Sequence, residues 1–236
     1  MGKKRWPDQQ QSIQISNVRY HQRILVSNLL RYPYLGVFTR SLSWEISDDY
    51  SWQYGLRLPA EGVWSAFETL DALHTLDLKV NVGVDTPAPE APLFPNLKVA
   101  RIEGQFPKGS LERILHTSSY LRELRIVGKE TTEHRGSFRS IGRDITSFLQ
   151  SSVDKGAFPR LQVLELCVAR GTDLDAVARF IAAHAQTLVE LRVELVNAAD
   201  ASSEWFQTYL LPLFQTNDWL NLRLLTLSNV SIPLVR

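Results

Sequence analysis

The chain has 236 residues, of which 44% are hydrophobic and 22% charged, enough apolar side chains for a continuous core and too many for a disordered polymer. Lysine and arginine number 26 against 25 aspartates and glutamates, so the formal net charge is +1 and no excess positive field exists to hold a nucleic-acid backbone. Cys167 is the single cysteine, which excludes an internal disulfide and a cysteine-rich zinc cluster, fits a reducing compartment and reads as a buried or half-buried thiol.

Residues 1–15, opening MGKKRWPDQQQ, read as a disordered basic, glutamine-rich tail. No apolar run follows its charges, so it cannot act as a secretory signal, and Trp6 stands where a myristoylation motif wants Ser or Thr. No later stretch is long enough to span a bilayer, so the expectation is an intracellular protein, cytoplasmic or nuclear, without a membrane partner. Residues 16–236 read as one domain. Ser16-Asn17 is placed to cap a first helix over about 16–32, which is expected to close one end of the fold.

A first, degenerate strand follows at Thr39, Leu42 and Trp44, and then the segment SWEISDDYSWQYGLRLP. Its Tyr50, Trp52 and Tyr54 lie beside Asp48 and Asp49, a composition favoured at interfaces and equally suited to covering the adjacent strand. The clearest pattern comes next: Leu73, Leu76, Leu78 and Asn81 spell LxxLxLxxN in LHTLDLKVN. Looser copies are Leu97/Ala100/Ile102, Leu121/Leu124/Ile126, Leu161/Leu164/Leu166, Leu188/Leu191/Val193 and Leu222/Leu225/Leu227. The closing Asn is present only at Asn81, with Lys129, Ala169 and Val230 in equivalent places. Pro95 and Pro159 each precede a strand by two residues on this reading, fixing its approach.

Between the copies lie segments with apolar residues at helical spacing, such as Leu174, Val177, Ala178, Ile181 and Ala182, whose helix, around 174–186, opens at Thr172-Asp173. Helix lengths are expected to cover VWSAFETLDAL, GSLERILHTSSYL, DITSFLQSSV, LDAVARFIAAHAQTL and WFQTYLLPLFQ, with 128–144 a polar loop carrying Ser137 and Ser140 near arginines. Strands separated by a helix must be parallel, because such a crossover cannot make a hairpin. The expected fold is an α/β leucine-rich-repeat solenoid, a horseshoe with about seven parallel strands on the concave face and helices on the convex face.

The residues between the motif leucines then project from the concave face in three rows. The middle row reads Ser43, Asp77, Arg101, Arg125, Glu165, Arg192 and Thr226. Asp77 beside Arg101, and Arg125 beside Glu165, are expected to pair as lateral neighbours; the functional alternative is that Arg101, Arg125 and Arg192 hold an acidic or phosphorylated segment. After Leu227 only SNVSIPLVR remains, so the last strand is expected to leave an open edge, able to meet a partner or a second copy.

A search for chemistry returns no catalytic residue, no metal site and no cofactor. Gly104–Ser110 lacks the lysine that a phosphate loop needs after its second glycine, and Phe138 stands where a nucleophile elbow around Ser140 needs glycine. The five histidines fall in different repeats; His116 and His184 end helices, where a cation suits the carbonyl end. An enzyme is not expected.

Residues 157–196 carry Phe158, Pro159, Leu161, Leu164 and Leu166, then Phe180, His184, Thr187, Leu188, Leu191 and Val193. This arrangement resembles the repeats of fungal-type F-box proteins, where an FPxLxxLxL strand precedes a helix ending FxxxHxxTLxxLxL. The likeness extends more weakly over 94–126 and LHTLDLKV. In that family an N-terminal F-box docks on a ubiquitin-ligase adaptor while the repeats select the substrate. Residues 1–33 hold a tail and one helix in place of the box. The residues thus point to non-catalytic recognition of a protein partner; the resemblance implies, as the alternative, the substrate-receptor arm of an F-box-type ubiquitin ligase, truncated or without its F-box.

Overall fold

Side chains two apart in a strand share a face, so the LxxLxL spacing sends one set of leucines inward and the residues between them outward. The computed structural model, which describes residues 12–14, 19–47, 60–81, 88–106, 109–128, 138–168, 171–196 and 205–229, is built on that alternation. Its strands are β1 Ser12–Gln14, β2 Ser41–Ser47, β3 Thr75–Asn81, β4 Val99–Gln105, β5 Glu123–Val127, β6 Val163–Val168, β7 Glu190–Leu195 and β8 Leu224–Ser228. All pair in parallel, in chain order from β1 to β8, in one open sheet.

Parallel neighbours require crossovers, and all of these except that from β3 to β4 carry a helix among the described residues. The helices are α1 Arg19–Arg31, α2 Ala60–Phe67, α3 Ser110–Leu115, α4 Phe138–Asp154 and α5 Leu174–Ala183, then a π-helical turn Phe206–Leu210 that runs into α6 Leu211–Thr216. The α/β class and the parallel sheet agree with the sequence reading. Seven strands coincide with the seven motif copies. The additional one, β1, lies inside the segment read as a tail and pairs with β2, Ser12 opposite Ser41. Helix α1 therefore connects two strands of the sheet, whereas the sequence placed it as an end cap.

The register is uniform. Leu42, Leu76, Ala100, Leu124, Leu164 and Leu191 stand opposite one another in successive strands, and Trp44, Leu78, Ile102, Ile126, Leu166 and Val193 do the same two residues on. Every one of these side chains is buried in a single core under the helices. Leu225 continues the first row but is 42% exposed, against 0% for Leu191. In the next inward row Gly104 faces Val80, and a Cβ there would lie 1.9 Å from the Val80 carbonyl oxygen. With φ at +111°, this position admits glycine alone without displacement of the β3 backbone.

Local departures from the sequence reading have local causes. Helices α2 and α3 end at Phe67 and Leu115, earlier than their apolar periodicity suggests, because the chain tightens into turns where Leu70 N–H donates to Phe67 O and Ser118 N–H to Leu115 O. Helix α4 begins at Phe138, so the end of the expected 128–144 loop is helical. Pro95 and Pro159 stand four residues ahead of β4 and β6, inside turns closed by Leu97 N–H to Phe94 O and Leu161 N–H to Phe158 O. Phe94 and Phe158 adopt left-handed φ of 52° and 60°, held there by complete burial of their rings. Helix α5 opens as expected: Asp173 accepts from Asp175 N–H at 2.9 Å.

Truncating a leucine of the inward row leaves a cavity that its rigid neighbours cannot fill. Leu164→Ala is expected to lower the unfolding free energy by about 2 to 5 kcal/mol in chemical denaturation, and Leu225→Ala by about 1 kcal/mol or less.

Candidate functional site on the open sheet face

The outward side chains of the strands lie in three rows set by the same register. The middle row is Ser43, Asp77, Arg101, Arg125, Glu165, Arg192 and Thr226, as read from the sequence. Its neighbours include Glu123 and Glu190 on one side, and Glu45, Lys79, Glu103, Cys167 and Glu194 on the other. Together the rows carry seven acidic and four basic side chains, a negative surface on a chain of net charge +1.

The arginines of this face are already engaged. Arg125 lies 2.8 Å from Glu123 and 3.2 Å from Glu165, so the expected Arg125–Glu165 pair forms. Arg101 turns away from Asp77 and joins Glu123 at 3.3 Å, drawing both arginines onto one carboxylate. Arg192 is 3.6 Å from Glu190, and Lys79 is 3.9 Å from Glu103. Each pair is worth roughly 0 to 1 kcal/mol at such exposure, yet together they fix the orientation of long side chains and neutralise the arginines from within. Arg101, Arg125 and Arg192, read from the sequence as alternative receptors for an acidic segment, are thus paired with carboxylates of the face itself. Tyr50, Trp52 and Tyr54 lie outside the described residues, as do Ser137 and Arg135.

Cys167 sits half-buried on the face, opposite Glu194. Burial first, then the charge and hydrogen bond of Glu194 and the charge of Glu165, push its thiol up to about 11. It is therefore protonated and poorly nucleophilic at neutral pH.

The histidines at the helix ends occupy the positions expected, but not with the charge expected. His184 follows α5, packed edge-on against Phe180 at 4.7 Å, and burial lowers its imidazole to about 4. His116 follows α3 and stacks on Phe148 at 5.5 Å; burial, then Lys155, lowers it to about 4 as well. Lys155 Nζ lies 3.2 Å from His116 Nδ1, so that nitrogen accepts, and Nε2–H donates to Ser152 Oγ at 3.0 Å. Ser152 in turn donates to Phe148 O at 2.7 Å. Both rings are neutral packing elements.

The strand entrances show a feature that the sequence reading passed over. Residues immediately ahead of the strands form a continuous backbone ladder, and their side chains line the rim of the sheet: Arg40, His74, Lys98 and Arg122 in successive layers. At one end of this rim a cleft of about 510 Å³ opens, lined by Arg122, Arg160, Gln162, Gln186, Thr187 and Asn221. The signal was present in the second position of the LxxLxL copies, which is basic at Arg40, His74, Lys98, Arg122 and Arg223 and neutral at Gln162 and Val189. Among the described residues no group of three or more His, Cys, Asp or Glu side chains is placed to hold a metal ion, and no helix is long and apolar enough to cross a membrane. Comparison of the chain with family models, curated proteins and solved structures finds no match.

Two titrations check this electrostatic picture. Burial lowers the His184 imidazole from the ordinary 6.5 to about 4, so the stability of the fold on its account is complete above pH 6.5 and is lost as pH falls toward 4. Unfolding free energy is expected to fall by about 1.4 kcal/mol per pH unit on its account within that window, and His184→Phe to remove that slope in denaturation curves taken between pH 6.5 and 5. For Cys167, alkylation by iodoacetamide at neutral pH is expected to run about tenfold or more slower than for free cysteine, and Glu194→Gln to accelerate it.

Proposed function

We propose that this chain is a leucine-rich-repeat solenoid whose open sheet face recognises a protein partner and catalyses no reaction. The observation that carries the reading is the face itself: on seven registered strands, the central five, β3 to β7, present long, charged side chains that pair with one another. A fixed array of this kind suits recognition, because side chains ordered by their own ion pairs lose little further freedom when a partner docks. Its chemistry differs from that of a reacting centre. Its one nucleophile, Cys167, is held protonated, and its carboxylates are spread along the sheet or spent on arginines.

The excess of acidic residues selects the partner's chemistry. A basic segment laid across the rows gains from Asp77 and Glu194 without having to break the Arg125–Glu123 and Arg125–Glu165 pairs. Affinity purification followed by mass spectrometry tests this. The double variant Asp77→Lys, Glu194→Lys is expected to lose the proteins that the wild type retains, by tenfold or more in recovered amount, while its thermal midpoint stays within a few degrees. Recovery of the same proteins at unchanged levels would remove the open face from the function.

A further inference from the structure

The rim at the strand entrances has the opposite sign to the face. Arg40 O accepts His74 N–H and Thr75 N–H, His74 O accepts Lys98 N–H and Val99 N–H, and Lys98 O accepts Arg122 N–H and Glu123 N–H, all at 2.8 to 3.1 Å. Adjacent parallel strands lie about 4.8 Å apart, so these four basic residues follow one another along roughly 15 Å of edge. Arg40, Lys98 and Arg122 are exposed. Among the described residues no ion pair engages Lys98, Arg122 or Arg160, in contrast to the arginines of the face. His74 registers the resulting field: its imidazole is held below the ordinary value by burial and by the charges of Lys98 and Arg40. Such a row is relieved by negative charge.

The cleft continues the row and is braced in advance. The Arg160 guanidinium lies 5.3 Å from the centre of the Tyr120 ring. Gln186 donates to Asp218 O at 2.9 Å, and Asn221 donates to Gln186 O at 2.7 Å, which fixes one wall. The Arg122 and Arg160 guanidinium groups and the Gln162 amide line this space beside Pro159 and Val189, donors suited to a carboxylate or a phosphate, while the Thr187 hydroxyl is spent on His184 O. The acidic residues at this edge are few: Asp71 precedes Ala72, whose carbonyl accepts from Arg40, and Asp218 stands at the far end of the cleft. Glu123 adjoins Arg122 in sequence but is bound on the face by Arg101 and Arg125.

We propose that this rim is an anion-binding groove for an acidic or phosphorylated segment of a protein partner, with one carboxylate or phosphate between Arg122 and Arg160 and further negative charges along Lys98, His74 and Arg40. The proposal rests on the recognition role inferred above and gives it a second, oppositely charged contact. The row's length matches about five extended peptide residues. A nucleic acid fits less well, because a continuous polyanion following the rim would run beside Glu190 and the other carboxylates of the face.

Fluorescence anisotropy with short labelled peptides, identical except for glutamates, phosphoserines or glutamines, tests the groove directly. The glutamate and phosphoserine peptides are expected to bind, more weakly as salt rises, and the glutamine peptide not to bind; whichever anionic peptide binds tighter identifies the source of the charge. Arg122→Glu with Arg160→Glu should weaken binding about tenfold or more, and Lys98→Gln with Arg160→Gln, a milder change, in the same direction. The face variant Asp77→Lys, Glu194→Lys should bind these peptides as the wild type does, which separates the groove from the face: loss of natural partners in the face variant alone would spare the recognition role and the groove alike. Equal binding of the glutamine peptide, unchanged binding by both rim variants, or tighter binding of oligothymidine than of either anionic peptide would overturn the proposal.

Discussion

A single carbonyl per layer governs the architecture. The oxygen immediately ahead of each strand takes two amide hydrogens from the next layer, in an unbroken series from Arg40 to Val189, whose oxygen receives Arg223 N–H and Leu224 N–H at 2.8 and 3.2 Å. Because each acceptor addresses the same position of the following motif copy, no layer can slip by one residue, a slip that would turn every leucine outward and every charge inward. The inward leucine rows, the charged outward rows and the basic rim are all consequences of that one constraint. Insertions between layers, such as the long segment separating β5 from β6, are tolerated because they lie outside the series.

The sequence carried the register in full and the local detail in part. Leucines spaced three and then two apart name the positions that stack, so Leu76, Leu124, Leu164 and Leu191 could be aligned without coordinates, and the middle outward row followed with them. Ser12–Gln14 could not be read as a strand, since a three-residue edge strand within a glutamine-rich segment has neither length nor alternation to mark it. The Asp77–Arg101 pair failed for a geometric reason. A long arginine side chain reaches past its direct neighbour to the next strand's Glu123, and a rule that pairs only opposite positions misses such diagonals. The histidine charges failed for an energetic one: favourable helix-end electrostatics is worth less than the desolvation imposed by Phe148 and Phe180, a tertiary contact that local sequence does not contain.

Charge on this molecule is sorted by height along the strands rather than balanced locally. Negative side chains dominate the open face and positive ones its entrance rim, so a total near zero conceals two fields of opposite sign. Net charge alone argued only against a nucleic-acid backbone, and it did so by averaging over both surfaces. Position within the repeat is the quantity that separates them, since the second residue of each copy always lands on the rim and the third and fifth always land on the face.

The partial exposure of Leu225 bears on how the molecule comes apart. Each inner layer is clasped on two sides, whereas the layer of β8, among the described residues, is clasped on one, and its leucine keeps 42% of its surface in water. Thermal opening starts where a layer has the least to lose, so disorder enters at β8 and advances one strand at a time toward β7 and β6. The three-residue β1 is likewise paired on one side only, so the stack loosens from both edges and its middle, around β4 and β5, outlasts the rest.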